Sequence, residues 1–209
     1  MTTMPIAAEL QDAIRRLDGK HLLGDGASVS VRLPGSGAML LGVPRGEPLR
    51  MSLADDTDAA HRRHAEVYRA RPDVGAIALG AGTYGHLLPD VAGVLPQVFD
   101  EQARHLGRTA RTAGGQPVDI KRSLVDGGNA WVDGSNLLVF GTTLHRLVLN
   151  AELLEKCAKA YVLAAGTAEP LHTLPWWVCR IANGRLKKDQ KRAAERFAQG
   201  LLPEEVKGY

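Results

Sequence analysis

The segment Asp58–Gly85, DAAHRRHAEVYRARPDVGAIALGAGTYG, leaves this chain the fewest options. Ala60, His64, Val67 and Arg71 recur at helical spacing with Arg62 and Arg63 turned outward, so Asp58–Arg71 reads as an amphipathic helix. Pro72 ends it, because a residue before proline is pushed out of the helical region. Val74–Leu79 is a short uncharged apolar run, which suits a strand covered on both faces. The loop Gly80-Ala81-Gly82-Thr83-Tyr84-Gly85 then sits at a strand's carboxyl end, where ligands bind in α/β sheets.

That loop fits G-x-G-x-x-G, and Asp100 lies at a plausible spacing for a ribose contact. The context does not fit a dinucleotide site. His86-Leu87-Leu88-Pro89-Asp90 is too short for the phosphate-binding helix, and the next strand candidate, Val94–Phe99, contains Pro96. The match is set aside as coincidence.

Elsewhere the pattern is regular. Ile6, Leu10, Ile14 and Leu17 make one stripe of a helix over Pro5–Leu17, stopped by Gly19. Ser28–Leu33 and Ala38–Val43 flank Pro34-Gly35-Ser36-Gly37 as a hairpin. Asp55, Asp56 and Asp58 place negative charge at the start of the helix that follows. Leu95–Gly107 reads as a short helix whose charged face pairs Asp100 with Arg104. Pro117–Lys121 and Ala130–Val132 are strand candidates, and Asn136–Phe140 is a buried strand. Thr142 or Thr143 caps a long helix striped by Leu144, Leu147, Val148, Ala151, Leu154, Ala158, Tyr161 and Ala165. Pro175 suits a first helical position, Trp176 and Trp177 are apolar anchors, and Gly184 separates that piece from a basic helix over Arg185–Gln199.

At 209 residues the chain is long enough for one domain with a substantial core, taken as 1–209. A net charge of +3 argues against a dedicated nucleic-acid binder. Met1–Leu10 has no signal-peptide character and no run reaches membrane-span length, so a cytoplasmic protein without membrane association is expected. Cys157 and Cys179 lack metal or redox spacing and read as reduced thiols.

His61 and His64 share a helix face, and with His86 and Tyr84 they are the candidate lining of any unconventional site. Two histidines without a third donor are more simply hydrogen-bonded residues than a metal pair. Asp100 and His105 complete the catalytic candidates, Asp100 because a carboxyl against apolar walls can be tuned toward neutrality.

Four segments, ASVSVR (27–32), HAEVYRARPDVGAIAL (64–79), LPQVFDEQARHLG (95–107) and LLVFGTTLHRLVLNAELLEKCAKAY (137–161), resemble the class II aldolase/adducin family in its own order. The resemblance implies an α/β fold in α/β/α layers, with a central, mostly antiparallel sheet flanked by helices. It also implies a bacterial-type homotetramer acting on a small molecule, with a C-terminal helical tail, 174–209, at the subunit interface. Ser28, Ser30 and Arg45 fall where the family binds a substrate phosphate, Asp100 falls beside its active site, and Tyr209 falls where a tail tyrosine reaches a neighbour. Ser28 and Ser30 read equally well as solvated strand positions, and Arg45 as a surface residue.

The departures are at the metal. The family's His-x-His pair falls on Leu79 and Ala81, its third histidine near Ser135, and its acid/base glutamate on Ala60. None of these side chains is a zinc-type donor. No metal or other cofactor is therefore expected. Two functions remain: a divergent lyase making or breaking a C–C bond or decarboxylating a small carbonyl acid, and a non-catalytic adducin-like assembly or ligand-binding module. The lyase is preferred, because adducins carry long extensions and this sequence shows none.

Overall fold

The computed structural model describes residues 3–80, 82–91, 94–112, 120–134, 136–167 and 169–204. Seven strands form one sheet in the order β3-β2-β1-β4-β7-β6-β5. They are β1 (Ser28–Leu33), β2 (Ala38–Gly42), β3 (Leu49–Ser52), β4 (Ala76–Leu79), β5 (Ala110–Thr112), β6 (Ala130–Asp133) and β7 (Asn136–Gly141). Only β5 and β6 run parallel; every other pairing is antiparallel. This is the mostly antiparallel sheet expected.

Alternation along the central strands sorts side chains between two apolar layers. Val29, Val31, Ala76, Ala78 and Val139 join α1 (Thr3–Gly19) and α5 (Leu144–Ala165) on one face. Ile77, Leu79, Leu138, Phe140 and Trp131 join α2 (Ala59–Ala70) on the other. The helix α1 buries Ile6, Leu10, Ile14 and Leu17, the stripe read from sequence. The carboxylate of Asp58 caps α2 by accepting from the His61 amide at 2.8 Å. Thr143 caps α5 in the same way, accepting from the Arg146 amide at 3.1 Å.

The Arg-Pro-Asp turn after α2 is held from inside. Arg71 is 6 % exposed and donates to both carboxylate oxygens of Asp73 at 2.7 Å, and to the Gly128 carbonyl at 2.8 Å. A buried pair of this kind persists because its donors find partners on all sides.

Several expectations need correction. The strands β3 and β5 carry no clear apolar alternation and were not anticipated. Residues 113–119, most of the strand candidate Pro117–Lys121, lie outside the description, and Ile120–Ser123 is a helical turn, α4. Residues 95–98 have no regular secondary structure, and the helix there is a π-helical turn over Gln102–Leu106. Gly184 does not divide the tail: α6 runs unbroken over Trp176–Ala198, since an outward glycine costs a helix only about 1 kcal/mol. Gly85–Leu87 forms a 3₁₀ turn leading into the one-turn helix α3 (Leu88–Val91). Among the described residues no helix is long and apolar enough to cross a membrane.

Candidate functional site

The α2 side of the sheet holds the first group of candidates. Ser28 and Ser30, two apart on β1, face α2, where His64 and Tyr68, four apart, face them. Ser28 Oγ lies 3.0 Å from His64 Nε2, and Ser30 Oγ lies 2.7 Å from His64 Nδ1 and 2.8 Å from Tyr68 Oη. Tyr68 also donates, at 3.5 Å, to the Gly75 carbonyl. One direction satisfies every group: Ser28 donates to His64, His64 to Ser30, Ser30 to Tyr68, and Tyr68 to the carbonyl. Burial lowers the His64 pKa to about 3, with His61 adding to the effect, so the ring is neutral. Burial pushes the Tyr68 phenol upward. The two serines are fully buried and not solvated strand positions.

His61 belongs to a separate arrangement. Its Nε2 donates to the Ser52 carbonyl at 2.9 Å, and its Nδ1 accepts from the Thr57 amide at 3.4 Å. Both nitrogens of His61 and of His64 therefore have protein partners. Among the described residues no three His, Cys, Asp or Glu side chains group as a metal site.

Of the family's three metal positions one, Leu79, lies among the described residues, as does Ala60 at the acid/base position. Leu79 pairs with Ser28 across the β1–β4 ladder, is 9 % exposed, and lies in the apolar layer under α2. Ala60 packs against the same layer. Leu79 does not fit a divalent ion, and Ala60 cannot serve as an acid or base. Ala81, Ser135 and Tyr209 lie outside the described residues. Arg63, expected to face solvent, is half-buried, forms an ion pair with the buried Asp133 and lies over the Trp131 ring. Nothing in the reading of the sequence pointed to that pair.

Tyr84 and His86 sit on the glycine-rich loop. The Glu155 carboxylate on α5 accepts from the Tyr84 amide at 2.7 Å and the Gly85 amide at 2.9 Å. A Cβ at Gly82 would collide with that carboxylate. Loop amides that a phosphate would need are thus taken by the chain's own side chain, which is the physical reason the dinucleotide pattern fails here. Lys159 lies over the Tyr84 ring, and the exposed His86 donates from Nδ1 to the Gly82 carbonyl at 3.1 Å.

Asp100 and His105 form the third group, at the π-helical turn. Asp100 is exposed and accepts from the Glu101 amide at 2.9 Å; it does not pair with Arg104, which donates to Asp189 of α6 at 2.6 Å. His105 Nδ1 accepts from Arg146 at 3.3 Å. Burial, then Arg146 and Arg104, lower its pKa to about 4. Arg45 is exposed, in a turn after β2 with a φ of 63°. The candidates thus divide among the α2 face, the glycine loop and the π-helical turn. Cys157 and Cys179 are both free thiols, Cys157 buried and raised to about 12 by that burial.

This layered sheet, with its carboxyl-end loop after β4, is the fold of the class II aldolases. The chain is similar to an L-fuculose 1-phosphate aldolase with a TM-score of 0.74, at 21 % identity over 90 % of this chain and 98 % of that one. It is similar to the L-fuculose 1-phosphate aldolase of Glaciozyma antarctica PI12 with a TM-score of 0.70, at 17 % identity over 95 % and 92 %. An aldolase II superfamily protein from Pseudomonas syringae gives a TM-score of 0.68, at 17 % identity over 96 % and 95 %. No protein-family model and no curated protein matches the sequence.

Proposed function

We propose that this chain is a lyase-type enzyme that cleaves or forms a C–C bond, or removes carboxylate, in a small carbonyl or carboxylate substrate without the family's metal cage. The aldolase fold suggests the reaction class. The single observation that carries the metal-free reading is the apolar packing of Leu79 with Ala60, in place of a histidine and a glutamate. The Ser28 hydroxyl, at the end of β1 beside Leu79, is the point where the His64 chain approaches the carboxyl end of β4. In this reading the buried Ser28–His64–Ser30–Tyr68 chain, closed to substrate, fixes the carboxyl end of β4, beside which the substrate binds. The enzyme acts as one domain spanning 1–209, is cytoplasmic, and assembles as a homo-oligomer, a tetramer by family resemblance, with 174–209 at the subunit contact.

The test is turnover of a panel of short aldehydes, 2-oxo acids, 3-oxo acids and sugar phosphates, with and without a chelator. Turnover that survives the chelator is expected. Turnover that requires added metal, or none across the panel, would overturn it; the latter outcome leaves the ligand-binding or assembly module.

A further inference from the structure

The sheet register puts the Arg63–Asp133 pair at the carboxyl end of β4. Leu79 of β4 faces Leu138 of β7, and Leu138 faces Trp131 of β6, so these three form one row across the α2 face. Asp133 follows Trp131 by two residues. It therefore stays on that face and sits one step beyond Leu79, in the direction in which β4 ends. Arg63 reaches it from α2, three residues after Ala60 and on the same side of that helix. A groove of about 990 Å³ beside Gly75 and Thr142 opens at the other end of β4 and takes no part.

The pair is asymmetric. Asp133 is 5 % exposed, and among the described residues its Oδ2 has no partner besides the guanidinium it meets. Such a carboxylate holds its cation in place, because withdrawing the guanidinium would leave a buried charge uncompensated. The Arg63 side chain is 32 % exposed, and its guanidinium carbon lies 6.0 Å from the centre of the Trp131 ring. Arginine carries five donors in a planar fork, and one carboxylate oxygen occupies only part of them. The rest match a second carboxylate, bound flat and bidentate. A phosphate group, with about two negative charges, asks for more than one balanced cation. The loop amides of Tyr84 and Gly85 are held by Glu155, and Arg62 is bonded to Asp56 at 2.8 Å. A monoanion suits what is left.

We infer that Arg63, fixed by Asp133 and lying over Trp131, binds the carboxylate of the substrate, which makes that substrate a short oxo acid and not a sugar phosphate. The inference rests on the lyase reading of the same end of the sheet, and it names the substrate class that reading left open.

The experiment titrates the full chain with pyruvate and, separately, with glycolaldehyde phosphate, read by proton–nitrogen correlation NMR. Pyruvate is expected to bind the more tightly and to shift the Trp131 indole signal. Arg63→Lys keeps the charge but loses the fork, and should weaken pyruvate about 10-fold or more. Arg63→Met should abolish binding. Should that variant fail to fold around a bare Asp133, Arg63→Met with Asp133→Leu removes both charges and must also lose pyruvate. Tighter binding of glycolaldehyde phosphate overturns the inference, as does unchanged pyruvate affinity in Arg63→Lys. Pyruvate binding without turnover of any compound in the panel keeps the role of Arg63 and sinks the lyase reading alone. Turnover of neutral aldehydes by a protein that does not bind pyruvate does the reverse.

Discussion

His64 and His105 are both depressed histidines, but their surroundings differ. His64 is enclosed by neutral groups that use both of its nitrogens. His105 sits half-buried between Arg104 and Arg146, at a junction where α6 meets the π-helical turn. The first is a core component whose polarity is fully matched inside the fold; the second is set by partial burial first and by neighbouring cations after it. The difference separates a residue on which folding depends from one that the fold merely tolerates.

The largest expected effect follows from breaking the matched network. His64→Ala leaves a cavity and strips Ser28 of its partner and Ser30 of one of its two, costing about 3–5 kcal/mol by chemical denaturation. Leu79→His places an imidazole in the apolar layer at the family's metal position. It should cost about 2–4 kcal/mol and gain no stoichiometric zinc by calorimetry, since among the described residues no group of three donors is assembled. Tyr68→Phe removes one hydrogen bond while keeping the ring, for about 1 kcal/mol. His105→Gln should change stability by no more than about 0.5 kcal/mol.

The two histidines also set an acid limit. Both fold with pKa values below the ordinary 6.5, His64 at about 3 and His105 at about 4. The unfolded chain therefore binds more protons, and the stability they contribute is whole above pH 6.5 and drains away as pH falls toward those values. His64→Gln should flatten the stability–pH curve between 6.5 and 3 more than His105→Gln does, as unfolding titrations across that range would show.

Much of this architecture was legible where local chemistry decides it. The Asp58 and Thr143 caps, the proline stop after α2, the hairpin and the α1 stripe depend on neighbours in sequence. β3 and β5 were not visible, because Leu49–Ser52 and Ala110–Thr112 are short edge strands without a two-sided apolar demand. The His64 network left a signal that went unused: Ser28 with Ser30, and His64 with Tyr68, each share a face at the spacing of their own element. Its partners lie 34 to 38 residues apart, so only the sheet brings them together. Glu155 was hidden for the same reason, approaching the glycine loop from about 70 residues away.

The most direct test is the metal content of protein purified from cells supplied with zinc, iron and manganese. Far less than one equivalent per chain is predicted, since Leu79 stands where the family places a donor. One equivalent that resists dialysis, and is lost in a His61→Ala or His64→Ala variant that still folds, would contradict it.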